Sequence, residues 1–139
     1  MQSTSRINGL IIGSSIRFRD WIPFNNALEY ATTEIGVYCI RMKDAVKVGR
    51  VRGESDIVYL GSTIDGFKRR FRSYMHPGIR QKTSQRVKAF SQRYSLEVSF
   101  LPIAKPRVWE SIMMDMYLGD HDELPPLNHQ SIDRFHFRR

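Results

Sequence analysis

Residues 67–74 predict a helix on which one basic side chain lies differently from its neighbours. Three aromatic residues recur at helical spacing and predict its apolar face: Phe67, Phe71 and Tyr74. Three basic residues fall on the solvated half: Lys68, Arg69 and Arg72. Arg70 falls instead on the flank of the apolar face, where packing would hold its planar guanidinium ready to grip two phosphate oxygens. This position predicts a phosphate clamp, and the alternative is one more surface cation.

A carboxylate and two tyrosines could complete such a site. Glu110 falls at the edge of the apolar arc of a helix predicted over residues 107–118. A lone carboxylate can hold a magnesium ion that keeps most of its waters, although a glutamate early in a helix also complements the helix dipole. Tyr38 and Tyr59 lie in predicted strands and by themselves indicate core aromatics, because a free tyrosine with a pKa of about 10 is a poor base.

The elements that carry these residues predict an α+β fold. Alternating or β-branched runs predict strands over residues 35–42, 57–60 and 96–100. Helical spacing predicts helices over residues 67–74, 83–94 and 107–118. The order of these elements indicates a small, mainly antiparallel three-stranded sheet flanked by helices.

Composition points to a polyanionic partner. The 139 residues carry 22 Lys and Arg against 14 Asp and Glu, a net charge of +8 that favours nucleic acid over an anionic membrane. The single Cys39 excludes an internal disulfide and a cysteine-based zinc cluster. The apolar run at residues 10–12 is too short for a signal peptide or a membrane span, so a cytoplasmic protein is expected.

Two tripeptides, with the residues that follow them, resemble the GIY-YIG nuclease superfamily. Gly36-Val37-Tyr38 and Tyr59-Leu60-Gly61 are similar to the tripeptides that lie on neighbouring strands in that family. Its helix arginine, its glutamate and its late asparagine are matched by Arg70, Glu110 and Asn128. The resemblance divides a single domain, residues 1–139, into an N-terminal decoration (1–34), a nuclease-like core (35–128) and a basic, aromatic tail (129–139).

The resemblance implies a metal-dependent endonuclease that hydrolyses double-stranded or branched DNA one strand at a time. The implied catalytic residues are Tyr38, Tyr59, Arg70, Tyr74, Glu110 and Asn128. Glu110 would hold Mg²⁺ or Mn²⁺, and Tyr74 stands where many members have histidine. A tyrosine would be the general base, with Tyr38 preferred and Tyr59 orienting the water or the phosphate. A double-strand cut would require two encounters, or two molecules as a homodimer on DNA.

Further basic residues are expected to contact DNA: Lys47, Arg50, Arg52, Lys68, Arg69, Arg72 and His76. The sequence also departs from the family pattern in two spacings. The 20 residues between Tyr38 and Tyr59 form a longer connection than in the simplest members, and Gly66 adds one residue before the arginine. The alternative function is a non-catalytic basic nucleic-acid-binding module, in which the tyrosines, the arginine and the glutamate need not converge.

Overall fold

The computed structural model describes residues 17–128 as an α+β fold. The strands are β1 (Ile22–Pro23), β2 (Gly36–Met42), β3 (Val48–Gly49), β4 (Glu54–Ser55), β5 (Ile57–Thr63) and β6 (Leu96–Pro102). The helices are α1 (Ala27–Tyr30), which follows a 3₁₀ turn at Phe24–Asn26, α2 (Phe67–Met75), α3 (Lys82–Arg93) and α4 (Pro106–His121). The predicted tail and residues 1–16 of the predicted N-terminal decoration lie outside the described residues. Within residues 17–128, no helix has the length and apolar character that crossing a membrane requires.

The main sheet has four strands in the order β1-β6-β2-β5, so the prediction of three strands was wrong. Every neighbouring pair is antiparallel, as predicted. The additional strand, β1, pairs only Ile22 and Pro23 with β6, at the edge of the sheet where a proline is tolerated. Two residues cannot show an alternating pattern, which explains why the sequence did not reveal this strand. The long connection after β2 forms a separate ribbon of β3 and β4.

The two faces of the sheet pack against different helices. Tyr38, Ile40 and Met42 of β2 belong to the core under α2 and α3, which we call the first face. Val37 and Cys39 belong to the core under α4, which we call the second face. A bulge opposite Ile40 and Arg41 adds one residue to β5, so that both Val58 and Tyr59 join the first face. Tyr59 lies two residues before Gly61, which pairs with Tyr38, so regular alternation places it on the same face beside Tyr38.

The glycines of the two tripeptides are required by close packing. A Cβ on Gly61 would lie 2.6 Å from the Tyr38 hydroxyl oxygen and 2.8 Å from the Tyr59 ring. A Cβ on Gly36 would lie 2.7 Å from the Phe67 ring, which α2 lays across the start of β2. Both glycines thus allow aromatic side chains to approach the backbone of β2 and β5 more closely than any larger residue would permit.

The start of α2 is fixed by the loop before β2. Gly66 precedes the helix with a φ of 103°, in the region that favours glycine, and its Cα faces the Thr33 carbonyl. The first two amides of α2 donate to this loop, Phe67 N to Glu34 O over 3.0 Å and Lys68 N to Thr32 O over 2.7 Å. The extra residue at Gly66 therefore belongs to the helix start, and the rotation of α2 about its axis is determined by these contacts.

The outer edge of β5 is covered by the last described residues of the chain. Leu127 N donates to Val58 O over 2.9 Å. The side-chain amide of Asn128 accepts from Leu60 N over 3.0 Å and donates to Leu60 O over 2.8 Å. One side chain thus pairs both polar backbone groups of Leu60 on an edge strand, where such groups would otherwise be left open.

Replacing Asn128 with alanine is expected to lower the free energy of unfolding by about 2 kcal/mol, because it removes both partners of Leu60 at a half-buried site. Chemical denaturation followed by circular dichroism measures this. The matched control is Asn25→Ala at an exposed position, which should change stability by about 0.5 kcal/mol or less. Equal stability of the two variants would contradict the role given to Asn128.

Candidate active site

Arg70 is held in place by two buried tyrosines. The hydroxyl oxygens of Tyr38 and Tyr74 lie 2.6 Å apart, and Arg70 Nε donates to the Tyr38 hydroxyl oxygen over 3.0 Å. The guanidinium carbon of Arg70 lies 4.6 Å from the centre of the Tyr74 ring, which adds a cation–π contact. Arg70 therefore lies on the flank of the apolar face, as its helical spacing predicted, and the guanidinium has a fixed orientation.

The outer part of the Arg70 guanidinium remains available. Among residues 17–128, the Nε–H is the only side-chain donor of Arg70 that finds a hydrogen-bond acceptor, and no carboxylate forms an ion pair with Arg70. Arg70 also lines an open cleft of about 240 Å³. The other residues that line this cleft are Thr63, Asp65, Arg69, Ser73 and Gln81. A charged, planar fork with unengaged donors at a cleft is suited to a phosphate.

Burial keeps Tyr38 and Tyr74 protonated. Both side chains have no exposed surface. Burial raises the pKa of Tyr38 far above that of a free phenol, and repulsion from a Tyr59 phenolate adds to this effect. Burial also raises the pKa of Tyr74, with repulsion from a Tyr38 phenolate acting in the same direction. Both groups therefore act as neutral hydrogen-bonding hydroxyls near neutral pH, and neither oxygen can contact a water molecule in the cleft.

Tyr59 lies at the border of the same aromatic cluster. Its ring centre is 6.0 Å from that of Tyr38 and 6.3 Å from that of Tyr74. Tyr59 retains 8% of its surface exposed, and it lies on β5, an edge strand. Within the described part of the chain, its hydroxyl has no hydrogen-bond partner, whereas the other two hydroxyls bind each other. Of the three phenols, Tyr59 is thus the one whose oxygen is not engaged by this cluster.

Glu110 lies on the second face of the sheet. Its Oε1 accepts a hydrogen bond from Ser62 Oγ over 2.7 Å. Because Gly61 is paired with Tyr38 on the first face and side chains alternate along a strand, Ser62 points to the second face, towards α4. The structure brings Tyr38, Tyr59, Tyr74 and Arg70 together but places Glu110 on the other face of the sheet.

The carboxylate of Glu110 suits a weakly chelated hard cation. No cluster of three or more His, Cys, Asp or Glu that could surround a metal ion is found in residues 17–128. Glu110 is half-buried beside the Ser62 hydroxyl and lines a cleft of about 230 Å³. A single carboxylate beside a hydroxyl group and an open cleft can bind an Mg²⁺ or Mn²⁺ ion that keeps most of its water ligands. It cannot supply the several protein ligands that a fully protein-bound metal ion requires.

The predicted DNA contacts on α2 are exposed and unpaired. Lys68, Arg69, Arg72 and the nearby His76 are all exposed, and none forms an ion pair within the described residues. Three of them line an open depression of about 520 Å³ next to the Arg70 cleft, and these are Arg69, Arg72 and His76. The outer surface of α2 is therefore a continuous positive surface beside Arg70.

Of the DNA contacts predicted around β3 and β4, the two arginines form ion pairs within the protein, unlike the cations of α2. Arg50 pairs with Glu123 over 3.1 Å and also donates to Leu124 O, while Arg52 pairs with Asp122 over 3.3 Å and also donates to Gly119 O. Lys47 is exposed. Both arginines thus hold the end of α4 at the opposite end of β5 from Ser62.

Two residues of the site were not singled out by sequence reasoning. Ser62 follows the second tripeptide directly and orients Glu110. Thr63 lines the Arg70 cleft, and its hydroxyl both donates to Gly66 O over 3.2 Å and accepts from Asp65 N over 3.2 Å. Their position directly after the second tripeptide could have indicated them, because consecutive residues at the end of a strand face opposite sides of the sheet.

Comparison of the chain with models of protein families, with curated proteins and with solved structures found no match.

Proposed function

We propose that the protein is a metal-dependent endonuclease that hydrolyses phosphodiester bonds of DNA at the end of β5. The observation that carries this proposal is Arg70, a cation fixed by Tyr38 and Tyr74 whose outer nitrogens remain available at a cleft. A surface cation needs no such support. A guanidinium that must meet one phosphate in one orientation does, because preorganised charge is what stabilises a transition state.

The DNA backbone would bind along α2. The exposed cations of α2 extend from the Arg70 cleft. Each contact with a phosphate adds affinity but does not distinguish one DNA sequence from another. Arg70 then binds the scissile phosphate with its two outer nitrogens, a bidentate contact that lysine cannot make. Although burial opposes its charge, the neighbouring Tyr38 and Tyr74 raise the pKa of Arg70 above its ordinary value, so the clamp is always charged.

Tyr59 is the better general base of the two tyrosines. Tyr38 is fully buried, and its oxygen already binds Arg70 and Tyr74, so it acts as a positioning residue. Tyr59 is partly exposed, and it lies near enough to Arg70 for their charges to interact. In the proposed step, the Tyr59 oxygen takes the proton of the attacking water while its own proton passes to solvent. The burial of Tyr38 thus reverses the roles that the sequence favoured.

Glu110 would hold the metal ion at the other side of β5. A metal ion held there would supply positive charge that offsets the negative charge of the phosphate. The Ser62 hydroxyl fixes the carboxylate, which keeps its second oxygen for a ligand. Because β5 is an edge strand, a phosphate at its end can be approached from both faces of the sheet. One such site cuts one strand, so a double-strand break requires a homodimer or a second encounter.

Nicking of supercoiled plasmid with and without Mg²⁺ tests this proposal. Cleavage is expected only with the metal, and Glu110→Gln should lower the nicking rate about 100-fold, because the amide keeps the shape but loses the charge that binds the ion. The matched control is Asp115→Asn, an exposed carboxylate on the same helix, which should cut as the parent does. Cleavage by Glu110→Gln at the parental rate would remove Glu110 from the site.

A non-catalytic DNA-binding module is the second candidate, and the placement of Glu110 favours it. The tyrosine–arginine cluster and Glu110 lie on opposite faces of the sheet, and no hydrogen bond or ion pair joins them among residues 17–128. A binding module requires only the positive surface of α2. If the purified protein retards DNA on a gel but never nicks plasmid with Mg²⁺ or Mn²⁺, this second function replaces the first.

A further inference from the structure

Residues 66–96 carry only positive charges. This stretch covers α2, α3 and the loop between them, and it contains no Asp or Glu. Its nine Lys and Arg are Lys68, Arg69, Arg70, Arg72, Arg80, Lys82, Arg86, Lys88 and Arg93. Two of them donate to backbone carbonyls, Arg86 to Leu127 O over 2.7 Å and Lys88 to Met75 O over 2.9 Å. The remaining charge is available to a polyanion that lies across this side of the protein.

An apolar side chain stands in the middle of this charge. Ile79, in the loop between α2 and α3, is 87% exposed. The exposed cations Arg72, Arg80 and Lys82 flank it in the sequence. A protein partner would cover such a residue with apolar surface. The surrounding positive charge favours instead a partner with an anionic surface and an apolar interior that a side chain can enter. A DNA duplex has this combination, with phosphates outside and stacked bases within.

The loop holds Ile79 in a fixed position. Gly78 N donates to Gln81 Oε1 over 2.7 Å, and Gln81 N donates to Gly78 O over 3.1 Å. Gln85 Nε2 donates to both Gly78 O, over 2.7 Å, and Ile79 O, over 2.8 Å. Two glutamine side chains thus satisfy the backbone on either side of Ile79. A wedge must be held in this way, because a side chain on a mobile loop would yield before it separated two base pairs.

We propose that Ile79 is a wedge that inserts between base pairs of bound DNA, next to the phosphates held by α2. Isoleucine is among the side chains that proteins insert between base steps, where they unstack and bend the duplex. The inference rests on the proposed function, since it takes DNA as the substrate. It adds to that function a preference for base steps that unstack easily, as at pyrimidine–purine steps or branch points.

A duplex that carries 2-aminopurine at successive positions tests the wedge. Binding is followed without divalent metal, so that no cleavage occurs. The parent protein should raise the fluorescence severalfold at one step, and Ile79→Ala should lose most of this rise. The alanine variant should also bind about tenfold more weakly, a change of about 1.4 kcal/mol, with an unaltered salt dependence because no phosphate contact is removed.

The matched control is Val51→Ala. Val51 is 71% exposed, but its neighbours Arg50 and Arg52 are neutralised by Glu123 and Asp122, so this variant should behave as the parent does. Ile79→Phe should retain the fluorescence rise. A parental rise in Ile79→Ala, or binding by the parent without any rise, overturns the wedge. A parent that unstacks DNA but never nicks plasmid overturns the nuclease alone, and a parent that does not bind DNA overturns both.

Discussion

Replacing Arg70 with alanine is expected to lower the plasmid nicking rate about 1000-fold, the loss typical of removing a preorganised donor from a transition state. Arg70→Lys should recover little of this activity. A lysine ammonium is a point charge on a flexible stem, and it cannot bind the Tyr38 hydroxyl and two phosphate oxygens in one plane. The nicking rate at saturating Mg²⁺, measured for both variants beside the parent, gives the result.

The control for Arg70 is Arg72→Ala on the same helix. Arg72 is exposed, so its loss should weaken DNA binding and the salt dependence of binding, and should leave the rate at saturating DNA nearly unchanged. This comparison distinguishes an arginine that binds the scissile phosphate in the transition state from one that only attracts DNA. Equal losses in Arg70→Ala and Arg72→Ala at saturating DNA would show that Arg70 is one more phosphate contact, which is what the binding-module function requires.

The position of Arg70 could be predicted because it depends on local rules. The helical spacing of three aromatics fixed which side of α2 is buried, and the strict alternation in β2 assigned Tyr38 to one face. Both patterns concern residues close together in the sequence. The structure adds the hydrogen bonds that connect Tyr38 to Arg70 and to Tyr74.

The remaining parts of the site depend on contacts between distant residues. The bulge in β5 lies at Val58, inside the apolar run of residues 57–60, and such a run does not show which residue is the extra one. The ion pairs of Arg50 with Glu123 and of Arg52 with Asp122 join residues some seventy positions apart, so no local pattern revealed them. Glu110 lies on the second face because α4 packs there, and its hydrogen bond with Ser62 spans 48 positions that no local pattern connects.

Tyr59→Phe is expected to lower the nicking rate about 1000-fold, within the range for loss of a general base, with little change in stability. The phenylalanine keeps the ring contacts with Tyr38 and Tyr74, and the lost hydroxyl has no hydrogen-bond partner within the described residues. Plasmid nicking and chemical denaturation of the same preparation measure the two effects.

Tyr38→Phe should give the opposite pattern. It leaves the buried Tyr74 hydroxyl and the Arg70 Nε without their shared partner, which costs about 2 kcal/mol of stability. Its nicking rate should fall only about tenfold, because Arg70 still stacks on Tyr74 and keeps its charge. A stable, inactive Tyr38→Phe beside an active Tyr59→Phe would return the general base to Tyr38. That result would require the Tyr38 oxygen to become accessible when DNA binds, since β2, β5 and α2 now enclose it completely.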